Sequence, residues 1–422
     1  MDRPDIKRLP KRMNPMDAQN QLLECMRQIQ LNTETVHLAD ALGRVLAKDV
    51  SSEVDVPDYD KTFIDGYAIC AQGTKDATVN APAAFKVVGK LFPADYPTSL
   101  KVGVNEAVYV ACGAPIPRGA TATVKVEETR LNGDSVEVVR PIETGKGVIP
   151  RGDDVKAGDL VARKGRVLRP QDVGLLASVG LAGVEVFRKP VVAVLSGGDE
   201  LIKQFLRNPQ RIANNYSLVV ADLASELGAS PLALGIMPDA YDKVQAKISE
   251  ALGQADIVVT IGGTSVGVKD FVPDAVNELG KPGVVVQGVL VRPGAVSGFG
   301  FVDGKPVVML PGHIGSCIAG FYLFAAPLIL HLSGVQCTGL PHLTVELNGE
   351  VDSGPQFRFQ LLRLTREAGR FLASPVEGGS SALTTMVKSN GYALIPPHIT
   401  LAKGSKVEMT LFNKLELSTV NF

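Results

Sequence analysis

The stretch Val191-Val192-Ala193-Val194-Leu195-Ser196-Gly197-Gly198-Asp199-Glu200 sets an unbroken apolar run against a glycine-acid loop. The run is too short for an ordinary helix and ends in turn formers, as a strand buried on both faces does. Two later stretches repeat the design. Ile257 to Ile261 leads into Gly262-Gly263-Thr264-Ser265-Val266-Gly267, and Val307 to Leu310 leads into Pro311-Gly312-His313. Helical spacing fills the gaps, over Leu218 to Leu227, over Ala240 to Leu252, and from His313 to about Leu332. Pro231 to Leu234 reads as a further strand. Buried strands alternating with helices predict an α/β fold with a doubly wound parallel sheet.

Upstream the texture differs. Met16 to Ile29 carries Leu22, Leu23, Met26 and Ile29 at helical spacing. His37 to Leu46, with Leu38, Leu42 and Leu46, is expected as a second short helix. From Ser51 to about Gly152, prolines such as Pro57, Pro82, Pro97 and Pro115 punctuate short apolar runs, including Ala107 to Ala111 and Ser135 to Val139. That pattern predicts a β-rich insert. Pro170 to Leu176 reads as helix, its proline suited to a first turn. Beyond Gly339, the runs Leu343 to Leu347, Phe357 to Leu364, Gly391 to Pro396 and Lys406 to Phe412 predict a small terminal β domain.

The bulk numbers narrow the function. A chain of 422 residues implies two to four domains. Its net charge of -1 gives no global pull toward nucleic acid or an acidic membrane. The five cysteines form no CxxC or zinc spacing and fit a reducing compartment, hence the cytoplasm. No run reaches the roughly 18 apolar residues of a membrane span. The polar, basic start Met1 to Arg12 is unlike a secretory signal.

In a doubly wound sheet, ligands bind beyond the carboxyl ends of the strands. Glycine there lets backbone N–H groups approach an anion, and a following helix adds a favourable dipole. One such loop is usually a plain tight turn; three in one sheet favour a phosphate-bearing ligand. Neither a GxxxxGK[ST] loop nor a GxGxxG helix start is present, which disfavours standard ATPase and NAD chemistry. Asp199, Glu200, Asp239 and Asp270 punctuate this region, and Asp65, Asp153 and Asp154 the β-rich part. A lone acid beside glycine is most often a cap or turn. Several together also suit a hard cation, since Mg2+ takes one or two carboxylates plus ligand phosphates.

Taken in order, these segments resemble the molybdopterin molybdenumtransferases, the family of bacterial MoeA and the E domain of gephyrin. Val56-Pro57 through Asp65-Gly66-Tyr67-Ala68, Gly113-Ala114-Pro115-Ile116-Pro117 with Glu127, and Arg151-Gly152-Asp153-Asp154 match in the first half. Ser196 to Leu201, Asn214-Asn215, Asp239, Gly262 to Gly267 with Asp270, and Pro311-Gly312 with Ser316 match in the second. The resemblance covers nearly the whole chain. It implies four parts: a helical linking segment (14–52 and 157–187), an inserted β-rich domain (53–156), an α/β pterin-binding domain (188–337) and a C-terminal β barrel (338–422). It also implies a homodimer with a shared cleft and contacts with other proteins of cofactor synthesis. The implied reaction takes adenylylated molybdopterin and molybdate as substrates with Mg2+, and releases AMP. Carried over by position, Asp65, Asp154, Asp239 and Asp270 are the catalytic acids, with Asp239 and Asp270 on the metal. The expected ligand contacts are Ser196, Gly198, Asp199, Glu200, Asn214, Asn215, Gly262, Gly263, Ser265, Gly267, Arg292, Pro293, Pro311, Gly312, His313, Ser316 and Ser380.

The chain departs from the family at its anion site. The family's Lys-Pro-Gly-Lys-Pro is Arg292-Pro293-Gly294-Ala295-Val296, and its Asn-Pro is His313-Ile314. An arginine of the terminal barrel falls at Leu361, with Arg358 and Arg363 nearby. His313, Lys269 and Lys61 are candidate replacement donors. An intact acidic set beside an altered anion set leaves two functions to weigh: the transferase itself, or a paralogue that binds and delivers the pterin or scaffolds a partner. A nucleotide hydrolase of another kind is a weaker third.

Overall fold

The computed structural model describes residues 11–207, 215–335, 340–367, 370–379 and 381–412, apart from the side chains of Phe205 and Asn215. Asn214 and Ser380 lie outside the described residues. The chain forms two compact units, Thr35–Val186, and Met1–Glu34 with Phe187–Phe422.

The second unit holds the parallel sheet. Its strands are β1 (Val191–Gly197), β2 (Ser230–Met237), β3 (Ile257–Ile261), β4 (Pro282–Gln287), β5 (Gly298–Val302) and β6 (Lys305–Leu310). The sheet order is β2-β1-β3-β6-β5-β4, with the first four parallel and the last two antiparallel. Helices are α1 (Asp199–Arg207), α2 (Asn215–Glu226), α3 (Tyr241–Gln254), α4 (Val272–Leu279) and α5 (Ile314–Leu332).

Strand geometry sends alternate side chains to opposite faces, and the cores follow that rule. Val192, Val194, Val259, Ile261, Val308 and Leu310 join one apolar core with α2, α5 and the N-terminal helix Pro15–Met26. Ala193, Leu195, Val258, Val307 and Met309 join the other, with α3 and α4. Both faces are covered, so the strands read as continuous apolar runs.

Helix α5 corrects one expectation. It is 19 residues long with a mean hydropathy of 1.7, enough to cross a membrane by length and composition alone. Yet 78% of that stretch is buried inside the protein, so it is a core helix. A π turn, Phe321–Ala325, lies within it.

The terminal strands Phe357–Glu367, Arg370–Pro375, His342–Leu347, Lys406–Leu411 and Gly391–Ile395 pair in that order, and the last closes back onto the first. This closed barrel is filled by Val345, Leu347, Leu362, Leu364, Met409 and Leu411.

The unit Thr35–Val186 is built on a six-stranded sheet, ordered Ala122–Lys125, Gly66–Ile69, Glu106–Val110, Ala83–Leu91, Ser135–Val138, Thr129–Asn132. The helix expected over His37 to Leu46 is absent; only the 3-10 turn Leu38–Asp40 forms. Gly43 stops it by adopting φ +75°, in the left-handed region where a helix cannot continue. Leu38 and Leu46 are still buried, beside the helix Pro170–Ser178, but Leu42 is exposed.

Candidate functional site

The three glycine loops meet at the carboxyl edge of the parallel sheet. Gly197, Gly262 and Gly312 lie side by side, one side-chain carbon apart. A Cβ on Gly312 would lie 3.8 Å from Gly262 Cα, and one on Gly262 would lie 3.5 Å from the Gly197 oxygen. Gly262 and Gly263 have φ +82° and +70°, conformations that favour glycine. Gly262 N–H donates to Leu310 O at 2.9 Å, which ties the β3 loop to the end of β6. Gly198 N–H donates to Met237 O at 3.1 Å, which ties the β1 loop to the end of β2. The result is a floor of bare backbone beyond the strand ends.

Two acids stand beside it. Asp239 N–H donates to Asp199 Oδ1 at 3.1 Å, and Asp199 N–H donates to Asp239 Oδ2 at 3.4 Å. This reciprocal clamp exists because β2 is the neighbour of β1, so both loops leave the sheet side by side. Lys269, from the β3 loop, places Nζ 3.6 Å from Oδ2 of Asp199 and 3.6 Å from Oδ2 of Asp239. Asp270 is turned to its own loop: Gly267 N–H donates to its Oδ2 at 2.6 Å. The geometry therefore partners Asp239 with Asp199, while Asp270 shapes the turn that carries Lys269.

The remaining expected contacts are distributed around this floor. Ser196 is buried, and Ser265 is half-buried in the β3 loop. Glu200 folds back on Gly198, whose absent Cβ would collide with its carboxylate. Pro311 is buried, Gly312 is exposed, and His313 is exposed at the start of α5. Ser316 is half-buried in the first turn of α5. Asn215 opens α2.

The altered anion loop is set by the barrel. Val291–Arg292 pairs in parallel with Phe357–Arg358, and Arg292 is the register partner of Arg358. The Arg358 guanidinium donates to Gln360 Oε1 at 2.6 Å and to Asp352 O at 2.9 Å. Leu361 instead packs on the apolar core shared with α5. Gly294 lies against Ala319 of α5, 3.2 Å from where its Cβ would be.

In the unit Thr35–Val186, the strand Lys61–Thr62 is the organiser. It pairs with Val148–Ile149 on one side and bridges to Pro115. Asp65 follows it, and its Oδ1 accepts the Cys112 N–H at 3.0 Å. Arg151 N–H donates to Asp60 Oδ1 at 2.7 Å, and Arg151 Nε to Asp55 Oδ2 at 2.5 Å. The Ala157 N–H, at 2.8 Å, and then the Arg151 guanidinium hold the Asp55 carboxyl below the usual range. Asp154 is exposed on the following turn, its N–H donating to Val56 O at 3.0 Å. Asp65 and Asp154 thus belong to this unit, and Asp239 and Asp270 to the other. The contacts of Cys112 and Arg358 were not foreseeable from spacing; only the register of the folded strands brings them in.

Three family models cover the chain in succession: the MoeA N-terminal region (domains I and II) over 13–180, a probable molybdopterin binding domain over 193–331, and the MoeA C-terminal region (domain IV) over 344–412. A molybdopterin molybdenumtransferase from Bacillus subtilis is 33% identical over 382 residues, 88% of each chain. The chain belongs to the MoeA family of molybdopterin molybdenumtransferases. One from Staphylococcus aureus (strain COL) is 34% identical over 301 residues, 71% of each chain. Two solved structures of a molybdopterin biosynthesis MoeA protein from Pyrococcus horikoshii superpose with TM-scores of 0.82 and 0.77 at 31% and 28% identity. They cover 96% and 95% of this chain and 100% of their own. This membership places the protein in molybdenum cofactor biosynthesis, with the MoeA-like α/β multidomain fold described above.

Proposed function

We propose that this protein inserts molybdate into adenylylated molybdopterin in a Mg2+-dependent reaction that releases AMP. The observation that carries the reading is the glycine floor at the carboxyl ends of β1, β3 and β6, flanked by the clamped pair Asp199 and Asp239. The backbone N–H groups of Gly263 and Gly312 would donate to phosphate oxygens, and the start of α5 adds a favourable dipole. Ser265 and Ser316 supply hydroxyl donors at the same edge.

The donor set fits a hard cation. Two carboxylates held together by the main chain keep their mutual repulsion, and a positive group, the Lys269 ammonium, already sits 3.6 Å from both. Among the described residues, no group of three or more His, Cys, Asp or Glu converges as a ready-made cage. Mg2+ bound here would be completed by substrate phosphates and water. Asp239 and Asp199 would hold it, while Asp270, the second metal acid of the family pattern, is turned to the Gly267 N–H. Bound there, the ion would neutralise charge on the phosphoanhydride. Asp65 and Asp154 are assigned to the same reaction by their positions in the family pattern. Asp65, whose Oδ1 accepts the Cys112 N–H, would position a water molecule.

Arg292 and Arg358, register partners on adjacent strands, are assigned to the molybdate oxyanion in place of the missing lysine. We further assign the protein to the cytoplasm as a homodimer. Cys25, Cys70, Cys112 and Cys317 are free thiols, consistent with a reducing compartment.

The test is AMP release from adenylylated molybdopterin with Mg2+, followed with and without molybdate and paired with reconstitution of a molybdenum apoenzyme. AMP release that depends on molybdate, together with active apoenzyme, supports the transferase. Tight pterin binding without either product, with tungstate as well, supports the second reading, a carrier or scaffold. That reading is motivated by Ala295 where the family carries lysine. If the arginine pair only partly replaces that lysine, Ala295→Lys tightens molybdate binding about tenfold, the scale of one charge-assisted hydrogen bond.

A further inference from the structure

We propose that Lys269 is a built-in counter-ion of the cation site, which an incoming divalent ion must displace. The proposal rests on the reading that Asp199 and Asp239 receive such an ion.

The ammonium is equidistant from the two carboxylates, 3.6 Å from Oδ2 of each. Neither acid can retreat from the other. Each accepts the other's backbone N–H, and each follows the end of one of two paired strands. Their combined negative charge is therefore a fixed property of the β1 and β2 ends, and some cation must offset it. The Lys269 ammonium supplies that charge from a third loop.

The donor is suited to leave. Lys269 is 63% exposed, on a loop that contains Gly262, Gly263 and Gly267, and its stem has four rotatable carbons. An exposed ion pair of this kind is worth little, so it yields to a divalent ion. The loop itself need not open, because the Asp270 carboxylate accepts the Gly267 N–H and Gly267 O accepts the Asp270 N–H. An ammonium and a divalent cation cannot share one point between two carboxylates, since like charges at that separation repel. Lys269 therefore sets the threshold concentration at which the site loads, and couples loading to movement of the β3 loop side chain.

The experiment is a titration of the purified full-length protein with Mn2+ as probe, free Mn2+ being read by electron paramagnetic resonance, without pterin. The proteins compared are the parent, Lys269→Gln, Lys269→Arg and Asp239→Asn. Lys269→Gln is expected to bind Mn2+ roughly two- to fivefold more tightly, the range of an exposed pair. Lys269→Arg stays close to the parent, and Asp239→Asn loses binding. Equal or weaker Mn2+ binding by Lys269→Gln, with Asp239→Asn still impaired, overturns the counter-ion role and leaves the cation site standing. No Mn2+ binding by the parent or by Lys269→Gln overturns the cation site and the proposal together. Lys269 is a surface residue, so matching thermal melts establish that the variants are folded.

Discussion

Asp172 is the clearest case of one carboxylate fixed by its neighbours. It is buried at the start of the helix Pro170–Ser178, and Arg169 donates to it from Nε at 2.9 Å and from its backbone N–H at 3.0 Å. Arg166 adds a bond at 2.7 Å. The Arg169 guanidinium, with help from Arg166 and the backbone, outweighs burial and holds the Asp172 carboxyl well below the usual range. A depressed carboxylate contributes stability that is present above its unfolded value, near 3.9, and is lost as pH falls through its folded value. Asp172→Asn should therefore cost about 1.5–3 kcal/mol at pH 7. The gap between variant and parent should narrow steadily below about pH 4, which urea unfolding across that range would measure. An unchanged gap down to pH 2 would remove the ion-pair explanation. The candidate site shows what is legible at this scale. Asp199, Asp239 and Asp270 stand out in the sequence because each follows an apolar run. Their partners do not. That Asp199 clamps Asp239 depends on β2 lying next to β1, and that Arg292 meets Arg358 depends on a strand of the sheet domain joining the barrel.

At the scale of elements, periodicity carried most of the fold. The runs that end in the Ser196, Gly262 and Pro311 loops are β1, β3 and β6, and the apolar stretch after His313 is α5. Strands β4 and β5 were not legible, because Pro282-Gly283 and Gly298-Phe299-Gly300 read as turn chemistry. Packing explains those glycines: a Cβ on Gly298 would fall 2.1 Å from Val286 O, and one on Gly300 would fall 2.5 Å from Gly283 O. The strands approach so closely that only glycine fits, so the residues that look like breakers are what permit the pairing. Helix α4 was hidden in the same way by Pro273, which sits in its first turn, where no N–H is needed. The loop glycines have a different role. Gly262, at φ +82°, forms part of the floor offered to the ligand. Gly262→Ala should cost roughly 1–2 kcal/mol for the left-handed backbone. It should also weaken molybdopterin binding by more than that strain explains, because the methyl stands in the cradle. Calorimetric binding together with a thermal melt separates the two effects, and unchanged affinity in a destabilised variant would mean that the ligand does not rest on this loop.

For the whole molecule, the two compact units define what a ligand can stabilise. Each unit has its own apolar cores: Phe85, Val124 and Val136 anchor one in Thr35–Val186, while Phe299, Phe321 and Phe324 anchor one in the other unit. A chain built this way departs from two-state unfolding, so its heat-capacity trace should need two transitions. Ligand that binds only folded protein raises stability by about 2.7 kcal/mol at a hundred times its dissociation constant. The glycine floor, Asp199, Asp239 and Lys269 all lie within Phe187–Phe422, so molybdopterin should shift the transition of that unit the most. The transitions can be assigned with Asp172→Asn, which lowers only the one belonging to Thr35–Val186. If molybdopterin moves that transition and leaves the other in place, the cradle has been assigned to the wrong unit. If both move by similar amounts, the sheet edge alone does not account for binding.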